Sequence, residues 1–469
     1  LKPDYNPTLT KINHDAKAFM MIGKQLFMSV SLVFLSHNIL AQKSSDTVTE
    51  VLSLDGCIHY AVKNQPALKQ SQIDEGITKA SNFIALSGWL PQANVTGIFQ
   101  HYYDLPTAFF TDQSNPSGPK TPVHTGLYNN FTPELSVTQT IFNPDVLYAS
   151  GAAHLYTKQA AQNTDAARIN LISNVSKAFY DVLLTQQQMA VLKDDTARLN
   201  KNQQDAYHEY VSGIVDKVDY EQATISLNNS LSQLISTQNA LKPKYAALKQ
   251  LMGYPQEKGL NIQFDTAIMM QEILFDTSRL LDYNNRIEYQ QLTTGRRLQK
   301  ALTDYYRYGF LPSVSASYNY FWLYANDQYS QLYNKTYPYS YLGLNFSFPL
   351  FQGFKRLENI HRSKLQESRQ DWDVVNLKLE INTEYQQALA NYKSNLYNLY
   401  KMQENKQLAR DVYNIVKLQY REGVKTYLNV ITAESDLRNS EISYLNALFQ
   451  LLMSKIDLQK AMGDISPDI

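Results

Sequence analysis

The sequence predicts a mainly α-helical chain with four membrane-crossing β-strands, built as a tandem duplication of long helical hairpins. Three observations carry this reading. The first is an internal repeat: displaced by 210 positions without a gap, Tyr210, Gly213, Ala223, Leu227, Ser230, Met252 and Gly253 fall on Tyr420, Gly423, Ala433, Leu437, Ser440, Met462 and Gly463. A displacement of 221 likewise sets Asn64, Gln70, Ala80, Leu90 and Pro91 on Asn285, Gln291, Ala301, Leu311 and Pro312, so one unit occurs twice. The second is a pair of long proline-poor stretches whose apolar residues recur at alternating threes and fours. The third is a set of short segments in which apolar and polar residues alternate, two of them crowded with aromatics.

Taken in order, residues 1–20 read as an upstream extension and 21–41 as a secretory signal peptide. Lys24 precedes an apolar run from about Leu26 to Leu35, and Ala41 stands before Gln42. That run is too short to cross a hydrocarbon core of about 30 Å as a helix. No later segment is apolar enough to do so, so if this exported chain meets a membrane it must do so with strands. Cys57, the single cysteine, cannot form an intrachain disulfide. Leu54, Asp55 and Gly56 before it loosely imitate a lipid-attachment box, but a buried position on a helix explains it better.

The first repeat spans 51–253: a helix, strands at about 93–103 and 131–142, a long helix, a turn at 210–216 and a further helix. A linker follows at 254–280. The second repeat spans 281–463, with strands at about 313–324 and 341–351, a long helix, a turn at 420–426 and a helix, before a tail at 464–469. In the second copy Val314, Ala316, Tyr318, Tyr320, Trp322 and Tyr324 alternate with small polar residues, and Leu342, Leu344, Phe346, Phe348 and Leu350 form the partner's apolar side. The first copy alternates less cleanly, through Val95, Gly97 and Phe99 and through Leu135, Val137 and Ile141. Each segment has the ~10 residues that a tilted strand needs to cross a bilayer; the alternative is a soluble β-sandwich with one buried face, against which stand the signal peptide and the tyrosine and tryptophan at the strand ends. The 34 tyrosines, concentrated at these segments, point to an interface with lipid headgroups or sugar. The Pro, Ser and Gly of 104–126 mark a loop inserted in the first copy.

The long helices are predicted from the stripes Ala167, Leu171, Val175, Ala178, Val182, Met189, Leu192 and Ala388, Tyr392, Leu396, Leu399, Met402, Ala409, Val412, Val416. At 1.5 Å per residue each is ~100 Å long. The shorter helices match them when added in pairs by length, the one after Gly213 with the one near 281–308, and the one after Gly423 with the one near 52–89. Four rods per chain result. Four strands, however, cannot close a barrel when the smallest have about eight, so the chain must oligomerise.

Charge and motifs narrow the function. Lys plus Arg and Asp plus Glu are both 43, which leaves no net field to draw nucleic acid. The eight histidines form no HExxH pair, and neither a GxSxG elbow nor a phosphate loop is present. An enzyme, a cofactor and a metal are therefore not expected. Asp194, Asp195, Asp216 and Asp219 read as members of solvated helix faces.

The duplicated plan, with WLPQANVTG and FLPSVSASY leading into strands, SFPLFQGF leaving the second hairpin, and the paired turns YVSGIVDKVDYEQA and YREGVKTYLNVITAE, resembles TolC-type outer-membrane efflux channels over about 51–463. The resemblance implies a homotrimer with a 12-stranded β-barrel in the outer-membrane lipid and a 12-helix α-barrel in the periplasm. It also implies a periplasmic adaptor and an inner-membrane pump as partners, and export of small toxic molecules or peptides. A nutrient porin would leave the helices unexplained, and a coiled-coil adhesin the strands. Gly213 and Gly423 end helices by taking the left-handed conformation cheaply. By resemblance, the turns holding them are periplasmic tips: Val211, Ser212, Gly213, Ile214 and Val215, with Glu422, Gly423, Val424, Lys425 and Thr426, would meet the adaptor. A gate would involve Tyr210, Asp216, Asp219, Tyr420, Lys425 and Asn429. Tyr420 and Lys425 take linking positions, while Asn429 and Thr432 stand where family members carry second-copy aspartates. Helix capping by Asp216 and Asp219 is the alternative to a carboxylate ring.

Overall fold

The computed structural model describes residues 51–111, 118–262 and 273–467; the readings of 1–20 and 21–41 lie outside the described residues. Helices dominate. The first repeat holds α1 (Leu54–Asn64), α2 (Pro66–Leu86), α3 (Pro144–Val211) and α4 (Lys217–Met252). The second holds α5 (Ile287–Tyr308), α6 (Lys355–Arg421) and α7 (Tyr427–Met462). At 68 and 67 residues, α3 and α6 are the two unbroken rods. On α3, Leu171, Val175, Val182 and Leu192 are buried as the stripe requires. On α6 the stripe steps from Ala409 to the buried Tyr413 and leaves Val412 exposed, because a spacing of four there keeps the larger ring under α7.

The short helices pair differently from the length-matched expectation. Gly253, which ends α4 at φ 66, places its α-carbon hydrogen so close to Asn64 that a Cβ there would lie 2.7 Å from the Asn64 carbonyl oxygen. Gly463, which ends α7 at φ 74, stands in the same relation to the Asn285 carbonyl oxygen, at 2.6 Å. So α4 abuts the break between α1 and α2, and α7 abuts the start of α5. Length could not decide this, since α2 and α5 differ by one residue, 21 against 22. Each joint also brings a side-chain donor to a carbonyl in the last turn of the arriving helix. Gln65 Nε2 donates to Gln250 O at 3.3 Å and Arg286 Nη1 to Ala461 O at 2.9 Å. The repeat thus closes on itself twice, by the same residues that the two displacements align.

The largest buried cluster lies at the level of these joints, where Leu68, Val175, Phe179, Leu248, Met252, Tyr392, Phe449 and Leu452 meet. Cys57 is fully buried there, and burial pushes its thiol up to about 12, which leaves it protonated and unreactive. The linker contributes a short parallel pair, β1 (Val51–Leu52) with β6 (Asn261–Ile262). Tyr392 Oη donates to Ile273 O and accepts from Phe275 N–H at 2.8 and 2.9 Å.

Where the two long helices begin, β2 (Gln92–His101), β5 (Asn129–Phe142), β7 (Ser313–Asn326) and β8 (Thr336–Ser347) form one antiparallel sheet in that order. Its register puts the predicted apolar sides on one face: Ala93 opposite Val137, Val137 opposite Tyr318, Tyr318 opposite Leu342. That face is open, with Val95 73% and Leu342 76% exposed. The other face is polar near the helices, where Ser136 Oγ donates to Asn319 Oδ1 at 2.6 Å, and aromatic farther along, where Phe321 stacks on Tyr339. Among the described residues neither β2 nor β8 has a strand on its outer edge.

Two strand readings shift. β8 begins five residues before the expected 341 and leaves the sheet at Ser347, since Pro349 cannot donate to a ladder. Within 104–126, expected as loop, β3 (Thr107–Phe110) pairs with β4 (Thr121–His124). Four-residue strands, one of them carrying Pro122, are too short to show a period.

Candidate functional site

The two helix tips are built alike because the two sequences end their helices alike. At the end of α3, Gly213 has φ 74, its N–H reaches Tyr210 O at 2.9 Å, and Ile214 N–H reaches Glu209 O at 2.9 Å. At the end of α6, Gly423 has φ 74, with Gly423 N–H on Tyr420 O at 2.9 Å and Val424 N–H on Gln419 O at 2.8 Å. This pairing of bonds ties off the last carbonyls of a helix and needs a residue at ease with positive φ. Space around both glycines is open, so conformation alone, and no close neighbour, demands glycine there.

The tips carry apolar side chains into solvent: Val211, Ile214, Val424 and Leu428 are all exposed. Ser212, Glu422, Lys425 and Thr426 are exposed beside them, and Val215 is half-buried. Asp216 is the N-cap residue of α4, yet its side chain makes no capping hydrogen bond. Asn429 does serve its helix: its Oδ1 accepts from Thr426 N–H at 3.2 Å and from Thr426 Oγ1 at 2.9 Å, a reciprocal arrangement that satisfies a free N–H at the start of α7.

The candidate gate residues are brought together in part. Tyr210 stacks on Tyr220 with ring centroids 6.2 Å apart. Tyr420 Oη donates to Glu209 Oε2 at 2.9 Å, joining the end of α6 to the end of α3. Burial, that hydrogen bond and the charges of Glu209, Asp219 and Asp205 all hold the Tyr420 hydroxyl protonated well above its usual range. Lys425 makes no ion pair among the described residues. Sequence reasoning missed Glu209 and Asp205. Glu209 stands one place before Tyr210, where the second copy has Gln419, and that difference between otherwise matching turns was the available signal. Tyr427, buried with Ala206 and Ala223, packs against Tyr420 and locks the two hairpins at this level.

Higher on the same helices lies a buried charged network, also missed. Asp195 reads from sequence as part of a solvated face, but it is fully buried, and only its neighbour Asp194 is exposed. Asp195 accepts from Arg198 Nη2 at 3.2 Å, Ser230 Oγ at 2.8 Å and Arg438 Nη1 at 3.4 Å. Arg198 Nε also donates to Glu434 Oε1 at 3.1 Å, and Asn202 Nδ2 to Glu434 Oε2 at 2.9 Å. Burial drives the Glu434 carboxyl up although Arg198 pulls it down. The Arg198 guanidinium, disfavoured by burial, is held above its usual value by Glu434 and Asp195. The network joins α3, α4 and α7. Among the described residues, no cluster of His, Cys, Asp and Glu is arranged to hold a metal.

Comparison with known proteins agrees with this architecture. The family described as "Outer membrane efflux protein" matches residues 57–254 and 285–464, the two repeats without the linker. Outer membrane protein TolC of Vibrio cholerae is 22% identical over 354 residues, covering 71% of this chain and 76% of that protein. The CmeC outer membrane channel of Campylobacter jejuni superposes with a TM-score of 0.69 at 18% identity, over 92% of this chain and 95% of that one. The open state of the MtrE outer membrane channel of Neisseria gonorrhoeae gives a TM-score of 0.69 at 16% identity, over 92% and 96%.

Proposed function

This chain belongs to the outer membrane efflux protein family, and from that membership we propose that three copies close into a channel whose helix tips dock a periplasmic adaptor fed by an inner-membrane pump. The chain is an outer-membrane efflux channel that extends into the periplasm, and nothing favours the porin or adhesin alternatives. The observation that carries the trimer is the four-stranded sheet with two edges unpaired among the described residues and one exposed apolar face. A Leu or Phe side chain left in water forgoes roughly 1.5–3 kcal/mol, and bare strand edges invite pairing. Twelve strands from three chains would satisfy both, with lipid against the apolar face. Mass measurement of the detergent-solubilised protein tests this; a stable monomer or dimer contradicts it.

Exposed Val211, Ile214, Val424 and Leu428 support an apolar contact between the tips and the adaptor. The double variant Gly213→Val, Gly423→Val is expected to keep the trimer and lose drug efflux in cells. A β-branched residue at positive φ costs at least ~1 kcal/mol at each turn, and deforms the surface that docks. Unaltered efflux would remove the tips from the contact.

For the gate, the proposal rests on Tyr420, Glu209, Asp219 and Asp205. Threefold repetition would gather these acids at a narrow mouth, where cations are favoured, while the Tyr420 to Glu209 bond holds α6 against α3. In planar bilayers, Tyr420→Phe is expected to raise single-channel conductance with selectivity unchanged, and Asp219→Asn to lower cation selectivity with conductance little changed. If Asp219→Asn leaves selectivity and multivalent-cation block as they were, Asp219 belongs to the start of α4 alone.

A further inference from the structure

With lipid against the apolar face of the sheet, the opposite face lines the lumen. Water-filled barrels line it with polar groups, and near the helices this one does so, with Ser315, Ser317, Asn345 and Ser347. Farther out the same face turns aromatic. Tyr337, Tyr339 and Tyr341 are successive lumen positions of β8, and all three are exposed. Phe321 of β7 stacks on Tyr339, with ring centroids 4.6 Å apart and planes 8° from parallel, and on Tyr341 at 5.9 Å. Rings on this face do not reach lipid, so anchoring at a membrane surface does not explain them. Stacking across the strands needs only one ring on each, and it leaves Tyr337 over.

The first repeat adds a charge to this band. Glu134 of β5 is the direct cross-strand partner of Phe321, as Phe321 is of Tyr339, so one carboxylate and two rings share a rung with ~4.8 Å from strand to strand. Among the described residues Glu134 forms no ion pair. Just before β8, Lys335 Nζ lies over the Tyr337 ring at 4.9 Å. A ring of this band therefore already takes a cation on its face.

We propose that this band is a contact site for planar aromatic cations passing through the barrel. Phe321, Tyr339 and Tyr341 offer ring faces on which a flat solute stacks, and Glu134 takes its positive charge. An anion would be opposed by Glu134. An aliphatic cation would meet the carboxylate and gain little from the rings. The two hairpins divide the work: on this rung the first supplies Thr96 and Glu134, the second Phe321 and Tyr339. Threefold repetition would set three such units around one level of the lumen. Contacts of this kind hold a solute briefly enough to let it leave.

The inference rests on three chains closing into a channel, and the test separates the two. Single-channel currents are recorded in planar bilayers with N-methylacridinium added on the side of the strand loops, and separately with tetraethylammonium, which has the charge without the rings. In wild type N-methylacridinium should interrupt the current, and tetraethylammonium should do so at least tenfold more weakly. Glu134→Gln and Tyr339→Leu should each weaken the N-methylacridinium block about tenfold, as loss of a charge contact or of a stacking ring does. Trimer mass in detergent and open-channel conductance in potassium chloride confirm that each variant assembles. Block that ignores both substitutions, or that follows Asp219→Asn at the tips instead, overturns the lumen site and leaves the channel standing. Equal block by tetraethylammonium overturns it too, by reducing the band to its carboxylates. A wild-type chain that forms no conducting trimer overturns channel and site together.

Discussion

Gly463→Ala is expected to lower the stability of each chain by roughly 2–5 kcal/mol, the largest effect of any single methyl group added here. Two costs combine. Alanine at φ 74 bears the left-handed penalty, and its Cβ would stand 2.6 Å from the Asn285 carbonyl oxygen, which is backbone and cannot rotate away. Gly253→Ala meets the Asn64 carbonyl at 2.7 Å and should behave alike. Gly213→Ala and Gly423→Ala supply the control, since they share φ 74 but have nothing within 4 Å of the added atom; these should lose only about 1 kcal/mol. Thermal unfolding of the trimer in detergent, followed by circular dichroism, ranks the four. Equal losses at all four sites would show that the close approach at the joints is tolerated.

Arg198→Ala is expected to be nearly as damaging, at about 3–5 kcal/mol near pH 8, because removing one member of a buried ion pair strands the others. Glu434 and Asp195 would keep their burial and lose their shared cation, with Arg438 left to Asp195 and Lys417 of α6 the next cation acting on Glu434. The loss should shrink as pH falls. Burial already places the folded-state Glu434 carboxyl above its usual value, and loss of Arg198 raises it further. A group whose folded pKa exceeds its unfolded one contributes stability below the unfolded value, and loses it as pH rises through the folded one. The variant should therefore recover part of its stability between pH 8 and pH 5, and Glu434→Gln in the same background should recover it at every pH. A deficit independent of pH would mean that Arg198 acts by packing its stem.

Much of this was legible in the sequence, for reasons that particular residues make plain. The long helices and the sheet followed from periodicity, because a rod or a membrane strand repeats its environment many times over and one exception such as Val412 is outvoted. The tips were legible because Gly213 and Gly423 are required by conformation, which is local. The joints were half legible: Gly253 and Gly463 align in the repeat, but which helix they touch depends on a contact some 180 residues away, and equal helix lengths cannot reveal it. Asp195 was misread because burial of a charge depends on Arg198, Arg438 and Ser230 converging from three helices. A lone aspartate in a polar helix looks the same either way. Glu209 went unnoticed for a similar reason, since its partner Tyr420 lies 211 positions away.

The joints also govern how the rods bear load. At the level of Gly253 and Gly463 the backbone ladder runs unbroken only through α3 and α6; α4 and α7 end there and press against α2 and α5. Each chain therefore crosses that level on two continuous beams and two butt-jointed columns. Butted columns resist compression well and shear poorly, because a carbonyl seated against a glycine stops axial approach but offers few bonds against sliding. A torque applied at the tips would be taken up as slip at the joints of α4 and α7 and as gentle bending of α3 and α6, so that the lower helices turn while the sheet in the membrane stays at rest.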